Sequence, residues 1–120
     1  MDSILNSVKK MLGIEPDYTH FDSDITMHIN AVFMILTQMG VGPVNGFVIY
    51  DSKAVWTDFV PDQIKVESIK TYVFLKVKLI FDPPLNSAVL EAMNRMISEL
   101  EWRLNINHDI VDKEDEPNVQ

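Results

Sequence analysis

Apolar residues recur at helical spacing in four stretches of the chain. The first covers residues 2–12 and the second covers residues 23–39. In both, apolar positions three or four residues apart fall on one face of a helix. The predicted core positions of the second helix are Ile25, Ile29, Val32, Leu36 and Met39. Because Phe33 and Ile35 widen this stripe, we expect the second helix to be central.

A third helix is predicted over residues 62–81. Its predicted buried stripe is Ile64, Ile69, Val73, Val77 and Ile80. Residues 72–81 are rich in β-branched and aromatic side chains, so a strand competes locally. The longer helical spacing favours a helix, which Pro83 would end because the residue before a proline avoids helical geometry.

The fourth helix, over residues 87–104, has the strongest signal. Asn86 can cap its first amides, and Leu85 can pack against Leu90. The predicted buried stripe is Val89, Met93, Met96 or Ile97, Leu100 and Leu104. Aspartate and serine likewise supply candidate caps for the first two helices, Asp2 or Ser3 and Asp22 or Ser23.

Residues 41–61 show the weakest helical pattern. Residues 47–50 and 54–57 are short β-prone runs separated by polar residues, which makes a small hairpin plausible. The fold class expected is therefore mainly α, a bundle of about four helices with a small β-hairpin or loop insertion between the second and third long helices. We expect a helical domain over residues 1–105 and an acidic tail over residues 106–120 that becomes ordered only on docking.

Composition narrows the possible functions. A chain of 120 residues fits one domain, and it contains no cysteine. Its formal net charge of −8 argues against a stand-alone nucleic-acid binder, because such proteins present a basic face. With no secretory pattern and no apolar run of about 20 residues, we expect a soluble protein without membrane contact.

Catalytic chemistry finds little support in the sequence. The three histidines are His20, His28 and His108, and there is no nucleophile motif or phosphate-binding glycine loop. Asp24 and His28 are four residues apart, so they can share a helix face, but two ligands fall short of a usual metal site. We therefore expect no catalytic residues, no metal and no cofactor, while a carboxylate–histidine metal hydrolase stays an open alternative.

Aromatic, basic and apolar residues outside the predicted core are the candidates for protein contacts. Trp and Tyr are favoured at interface centres, and a basic face could meet the acidic face of another copy. The candidate interface residues are Trp56, Phe59, Lys65, Lys70, Lys76, Lys78, Trp102, Ile106, Ile110 and Val111. For Trp56 and Phe59 the alternative is that their rings pack the insertion onto the helical core.

Several strings resemble the small head–tail connector (head-completion adaptor) proteins of tailed bacteriophages. They are FDSDITMHIN at residues 21–30, FMILTQMGVGP at 33–43, WTDF at 56–59, IKTYVFLKVKLIFDPP at 69–84 and ELEWRLN at 99–105. The resemblance covers about residues 1–106, and the acidic end has no counterpart in it.

The resemblance implies a structural virion protein of the neck, assembled in the host bacterial cytoplasm. Such adaptors form a ring, usually of about twelve copies, beneath the portal protein. The ring extends the DNA channel, through which DNA passes without specific binding, and presents a surface to a stopper or tail-completion protein. The C-terminal segment would reach the portal. Composition alone leaves a rival open, a small acidic helical binding or regulatory module that captures one protein partner.

Overall fold

Helices account for most of the described chain. The computed structural model describes the backbone of residues 2–115 and the side chains of residues 2–105. Its elements are α1 (Ile4–Met11), α2 (Asp22–Gln38), α3 (Trp56–Phe59), α4 (Gln63–Phe81) and α5 (Ser87–Asp115). The four predicted helices are thus present, and the prediction of a mainly helical fold is confirmed.

Helix α4 is the centre of the fold, because α1, α2, α3 and α5 all pack on it. Its buried side includes Ile69, Val73 and Val77, as predicted. The prediction for Ile64 and Ile80 is wrong, since they are 85% and 54% exposed. A helix turns about 100° per residue, so Ile64 lies about 140° around the axis from Ile69. Ile80 is in the last turn of α4.

The apolar stripe of α2 is the most accurate of the sequence predictions. Four of its five predicted positions are fully buried, and Met39 is half-buried just after the helix. Phe33, which was predicted to widen the stripe, is also fully buried. This stripe packs mainly against α4 and α1 and supplies much of the hydrophobic core.

The predicted β-hairpin is wrong. Within residues 2–115 the only β pairing is an isolated bridge between Ser3 and Val55. The main-chain groups of Ile49 are instead satisfied by the Asn30 side chain of α2, and the N–H of Ile4 donates to the Ala54 carbonyl at 2.9 Å. The main chain of this segment therefore forms hydrogen bonds with a side chain of α2 and with the start of α1, and not with a neighbouring strand. The segment leads into the short helix α3.

Capping predictions had mixed outcomes. Ser3 caps α1, and Asn86 caps α5 by accepting from the N–H groups of Ala88 and Val89. The α2 cap is different, because Phe21 occupies the cap position without a side-chain hydrogen bond. The contact predicted for Leu85 is absent, because this side chain is fully exposed.

Helix α5 extends beyond the predicted end at residue 104. Within the described residues, α4 is its main packing partner. Its buried positions are Ile97 and Leu104, with Met93 and Leu100 partly buried. Val89 is 47% exposed, so the prediction that it is buried is wrong. Met96 is 49% exposed, so of the two alternatives Met96 and Ile97 it is Ile97 that is buried. A helix with one neighbour buries only a narrow stripe, so most of the described α5 side chains, over residues 87–105, are exposed.

Candidate interaction surfaces

Trp56 and Phe59 are core residues, not exposed aromatics. Both are almost completely buried, so the prediction that they form an interface surface is wrong. The Trp56 indole Nε1–H donates to Ser7 Oγ at 2.8 Å, and the Phe59 ring lies 4.6 Å from the Phe33 ring, centroid to centroid. These contacts fasten α3 to α1 and α2, in agreement with the alternative in which the rings pack the insertion onto the core.

A glycine makes the position of Phe59 possible. Gly42 has φ of +87°, a left-handed conformation that side chains rarely adopt. A Cβ atom at Gly42 would lie only 2.4 Å from Cε1 of Phe59. The loop after α2 can therefore pass over the ring only because residue 42 has no side chain.

A buried ion pair fixes the start of α2. The Lys9 side chain is fully buried, and its Nζ lies 2.7 Å from Asp22 Oδ1. Asp22 Oδ1 is buried and accepts no hydrogen bond, so its contact with Lys9 is an ion pair. Lys9 Nζ also donates to the Pro16 carbonyl at 2.9 Å. The predicted capping aspartate thus joins the end of α1 to α2.

The candidate lysines of α4 do not form one free basic face. Lys70 lies 3.5 Å from Asp2, and Lys78 lies 3.2 Å from Asp82. Lys65 is exposed and Lys76 is half-buried. Surface ion pairs of this kind contribute at most about 1 kcal/mol each, so little free energy holds these lysines to their present partners.

Trp102 is a predicted interface residue that the structure exposes, with 64% of its surface accessible. It lies on α5 between Glu101, which points inward, and Arg103, which points outward. The Tyr72 hydroxyl donates to Glu101 Oε2 at 2.8 Å. Burial, and then the hydrogen bond to this carboxylate, raise the pKa of Tyr72 well above its ordinary value. Tyr72 therefore stays protonated and anchors α5 to α4 through Glu101.

Two exposed rows of side chains were missed in the sequence. The first, here called the α2 row, consists of Asp24, Met27, Ala31, Met34 and Gln38. The second, here called the α5 row, consists of Val89, Ala92, Met96, Glu99 and Arg103. The sequence does contain a pattern that indicates them, because each row repeats at three- or four-residue spacing beside the buried stripe of the same helix.

Three predicted interface residues, Ile106, Ile110 and Val111, have side chains outside the described residues.

Asp24 and His28 gain no third ligand, because the described part of the chain contains no group of three His, Asp or Glu side chains suited to a metal ion. The His28 ring instead lies 6.5 Å from the Phe81 ring, centroid to centroid.

Comparison with known proteins decides the family. The family model described as phage connector protein matches residues 4–110, which is nearly the whole chain. The chain belongs to the phage connector protein family. No curated protein and no solved structure matches it.

Membership of this family identifies the chain as a structural phage connector and suggests that it is a component of the virion. A connector works through contacts with other head and tail proteins, so its exposed surfaces are where its function lies. No helix in the described part of this connector is both long enough and apolar enough to cross a membrane.

Proposed function

We propose that this connector forms a ring that joins the portal to a stopper or tail-completion protein and extends the DNA channel. The observation that carries the proposal is the match to the connector family over residues 4–110. The ring has about twelve copies, and each copy makes the same head-to-tail contact with the next around a closed axis. Assembly takes place in the host bacterial cytoplasm, and the ring becomes part of the virion neck.

The exposed side chains support a protein that assembles. A head-to-tail contact needs two different faces on each copy. The α2 row and the α5 row are on separate helices, and each combines apolar side chains with a charged end. Trp102 adds a large exposed ring for a third contact, with the portal or with the protein on the other side.

The acidic character of the chain supports a passive channel wall. The net charge is −8, and a negatively charged surface repels the phosphates of DNA. DNA can then slide past the ring without being held. A basic channel would instead bind phosphates in a salt-dependent way and slow the passage of the genome.

The acidic C-terminal segment is proposed to reach the portal. Among the described side chains, Ile97, Glu101 and Leu104 already anchor α5 before residue 106. Deleting residues 106–120 should therefore leave the fold intact and weaken portal binding. A truncated chain that binds the portal as tightly as the full chain would remove this part of the proposal.

Electron microscopy of the cognate portal with and without the connector tests the proposal. Negatively stained particles should gain an additional ring on the tail-facing side of the portal when the connector is added. A connector that stays monomeric or dimeric, leaves the portal unchanged and instead binds one other protein would favour the regulatory binding module.

A further inference from the structure

We propose that neighbouring copies of this chain meet through the α2 row of one copy and the α5 row of the next, with the two helices antiparallel. The inference rests on the proposed ring and specifies which residues form its lateral contact. The occupant of each row is thus a second copy of the chain.

The positions of the two rows suit a repeating contact. Both α2 and α5 pack on α4, and no extensive contact joins α2 to α5 within the described residues. The α4 residues beside α5 include Ser68 and Thr71, which lie around the helix from the core positions Ile69 and Val73. Within the described residues of one copy, the two rows therefore lie on helices that make no extensive contact with each other.

Side-chain sizes in the two rows are complementary. The α2 row alternates Met27, Ala31 and Met34, and these methionines are 61% and 63% exposed. In an antiparallel pairing that sets Ala31 opposite Met96, Met34 of the first copy faces Ala92 of the second. Met34 and Met96 then each meet an alanine, which is how helix ridges fit into grooves, while Met27 lies against the stem of Glu99.

Charge fixes the direction of the pairing. Asp24 is seven residues before Ala31, and Arg103 is seven residues after Met96, so the antiparallel pairing sets the two charged residues opposite each other. Asp24 makes no ion pair within the described residues. Arg103 contacts Glu99 at 2.7 Å, but both side chains are more than half exposed, so this pair is weak. A parallel pairing would instead bring Asp24 near Val89 and the acidic Glu91.

The absence of cysteine from the chain allows a direct test by disulfide formation. Two single variants, Ala31→Cys and Met96→Cys, are mixed with the cognate portal and oxidised. We expect a covalent dimer from the mixture and almost none from either variant alone. The double variant should give a ladder of covalent multimers. The matched control replaces Met96→Cys by Ser98→Cys, which is also exposed on α5 but lies about 160° around the helix.

The outcomes separate the inference from the proposed function. Rings on the portal without a disulfide between residues 31 and 96 would overturn the inference alone. The inference would also be overturned if Ala31→Cys formed as much covalent dimer with Ser98→Cys as with Met96→Cys, or if Ala31→Cys formed dimers with itself. Absence of any ring on the portal would remove the proposed function and this contact together.

A charge exchange provides the second test. The single variants Asp24→Arg and Arg103→Asp should each reduce the fraction of portals that carry a ring, whereas the double variant should regain most of it. Simple destabilisation of α2 or α5 would not be reversed by the second substitution. A double variant that assembles no better than the poorer single variant would contradict the proposed pairing.

Discussion

Asn30 binds Ile49 through two hydrogen bonds that connect α2 to the segment after it. Asn30 Nδ2 donates to the Ile49 carbonyl at 2.9 Å, and the Ile49 N–H donates to Asn30 Oδ1 at 2.8 Å. Ile49 is almost completely buried, so these main-chain groups have little access to water. One amide side chain thus meets the hydrogen-bonding needs that a neighbouring strand would otherwise meet.

The variant Asn30→Asp should destabilise the fold by about 1–3 kcal/mol, because a carboxylate cannot donate to the Ile49 carbonyl and leaves it unsatisfied. The free energy of unfolding from urea titration measures the loss. The control is Asn45→Asp, which adds the same charge at an exposed asparagine and should change stability by less than about 0.5 kcal/mol. Equal losses in the two variants would mean that the added charge, and not the lost donor, is responsible.

Gly42→Ala should be much more damaging than Gly13→Ala. Both glycines have positive φ, which costs a residue with a Cβ about 1–2 kcal/mol. Nothing lies within 4 Å of a Cβ at Gly13, whereas one at Gly42 would overlap Phe59. The overlap should add about 1–3 kcal/mol, measured as the difference in unfolding free energy between the two variants. Similar losses would show that the loop moves away from Phe59 at little cost.

The two tryptophans should respond to alanine in opposite ways. Trp56→Ala should lower the free energy of unfolding by about 3–5 kcal/mol, because it opens a cavity in the core. Trp102→Ala should change it by less than about 0.5 kcal/mol, yet reduce binding to the portal or to the next neck protein. A stable Trp56→Ala chain that fails to assemble would instead restore Trp56 as an interface residue.

Tyr72 should make stability fall in alkaline solution. An unfolded tyrosine ionises near pH 10, whereas burial and the Glu101 carboxylate raise the pKa of Tyr72 in the folded chain. The folded state therefore holds this proton more tightly, and its contribution to stability is complete below pH 10 and declines above it.

Between pH 8 and pH 11 the native chain should lose about 1.4 kcal/mol of unfolding free energy relative to Tyr72→Phe. Because both chains contain the same lysines, any effect of lysine ionisation on the unfolding free energy cancels in this comparison. Tyr50→Phe is the control, because it removes the same hydroxyl group from an exposed ring. A Tyr72→Phe chain with the same alkaline loss as the native chain would refute the role of this hydroxyl.

The periodic parts of the fold could be predicted from the sequence. The α2 stripe and the Asn86 cap depend on residues close together along the chain, so spacing and residue type are sufficient. The hairpin prediction failed because Asn30 and Ile49 are 19 residues apart, and no local pattern reveals that an asparagine on a helix replaces a strand. Local β propensity was overridden by a tertiary contact.

The surfaces were harder to predict than the helices. Trp56 was expected at an interface because it lies outside the helical stripes, but its hydrogen bond to Ser7 crosses 49 residues of sequence. The burial of Lys9 has no signal in the sequence, since lysine is rarely fully buried and is buried here beside Asp22. The exposed methionines Met27 and Met34 could have been identified from the sequence, because they lie beside the α2 stripe that was predicted correctly.

The mass of the cognate portal measured with and without this connector, by light scattering, tests the central claim most directly. Our account predicts a gain equal to a whole ring, about twelve times the 13.8 kDa of one chain, even if the free connector is monomeric. It also predicts a smaller mean gain for a portal mixed with a chain that carries Asp24→Arg alone. A portal whose mass is unchanged at every connector concentration would contradict the account.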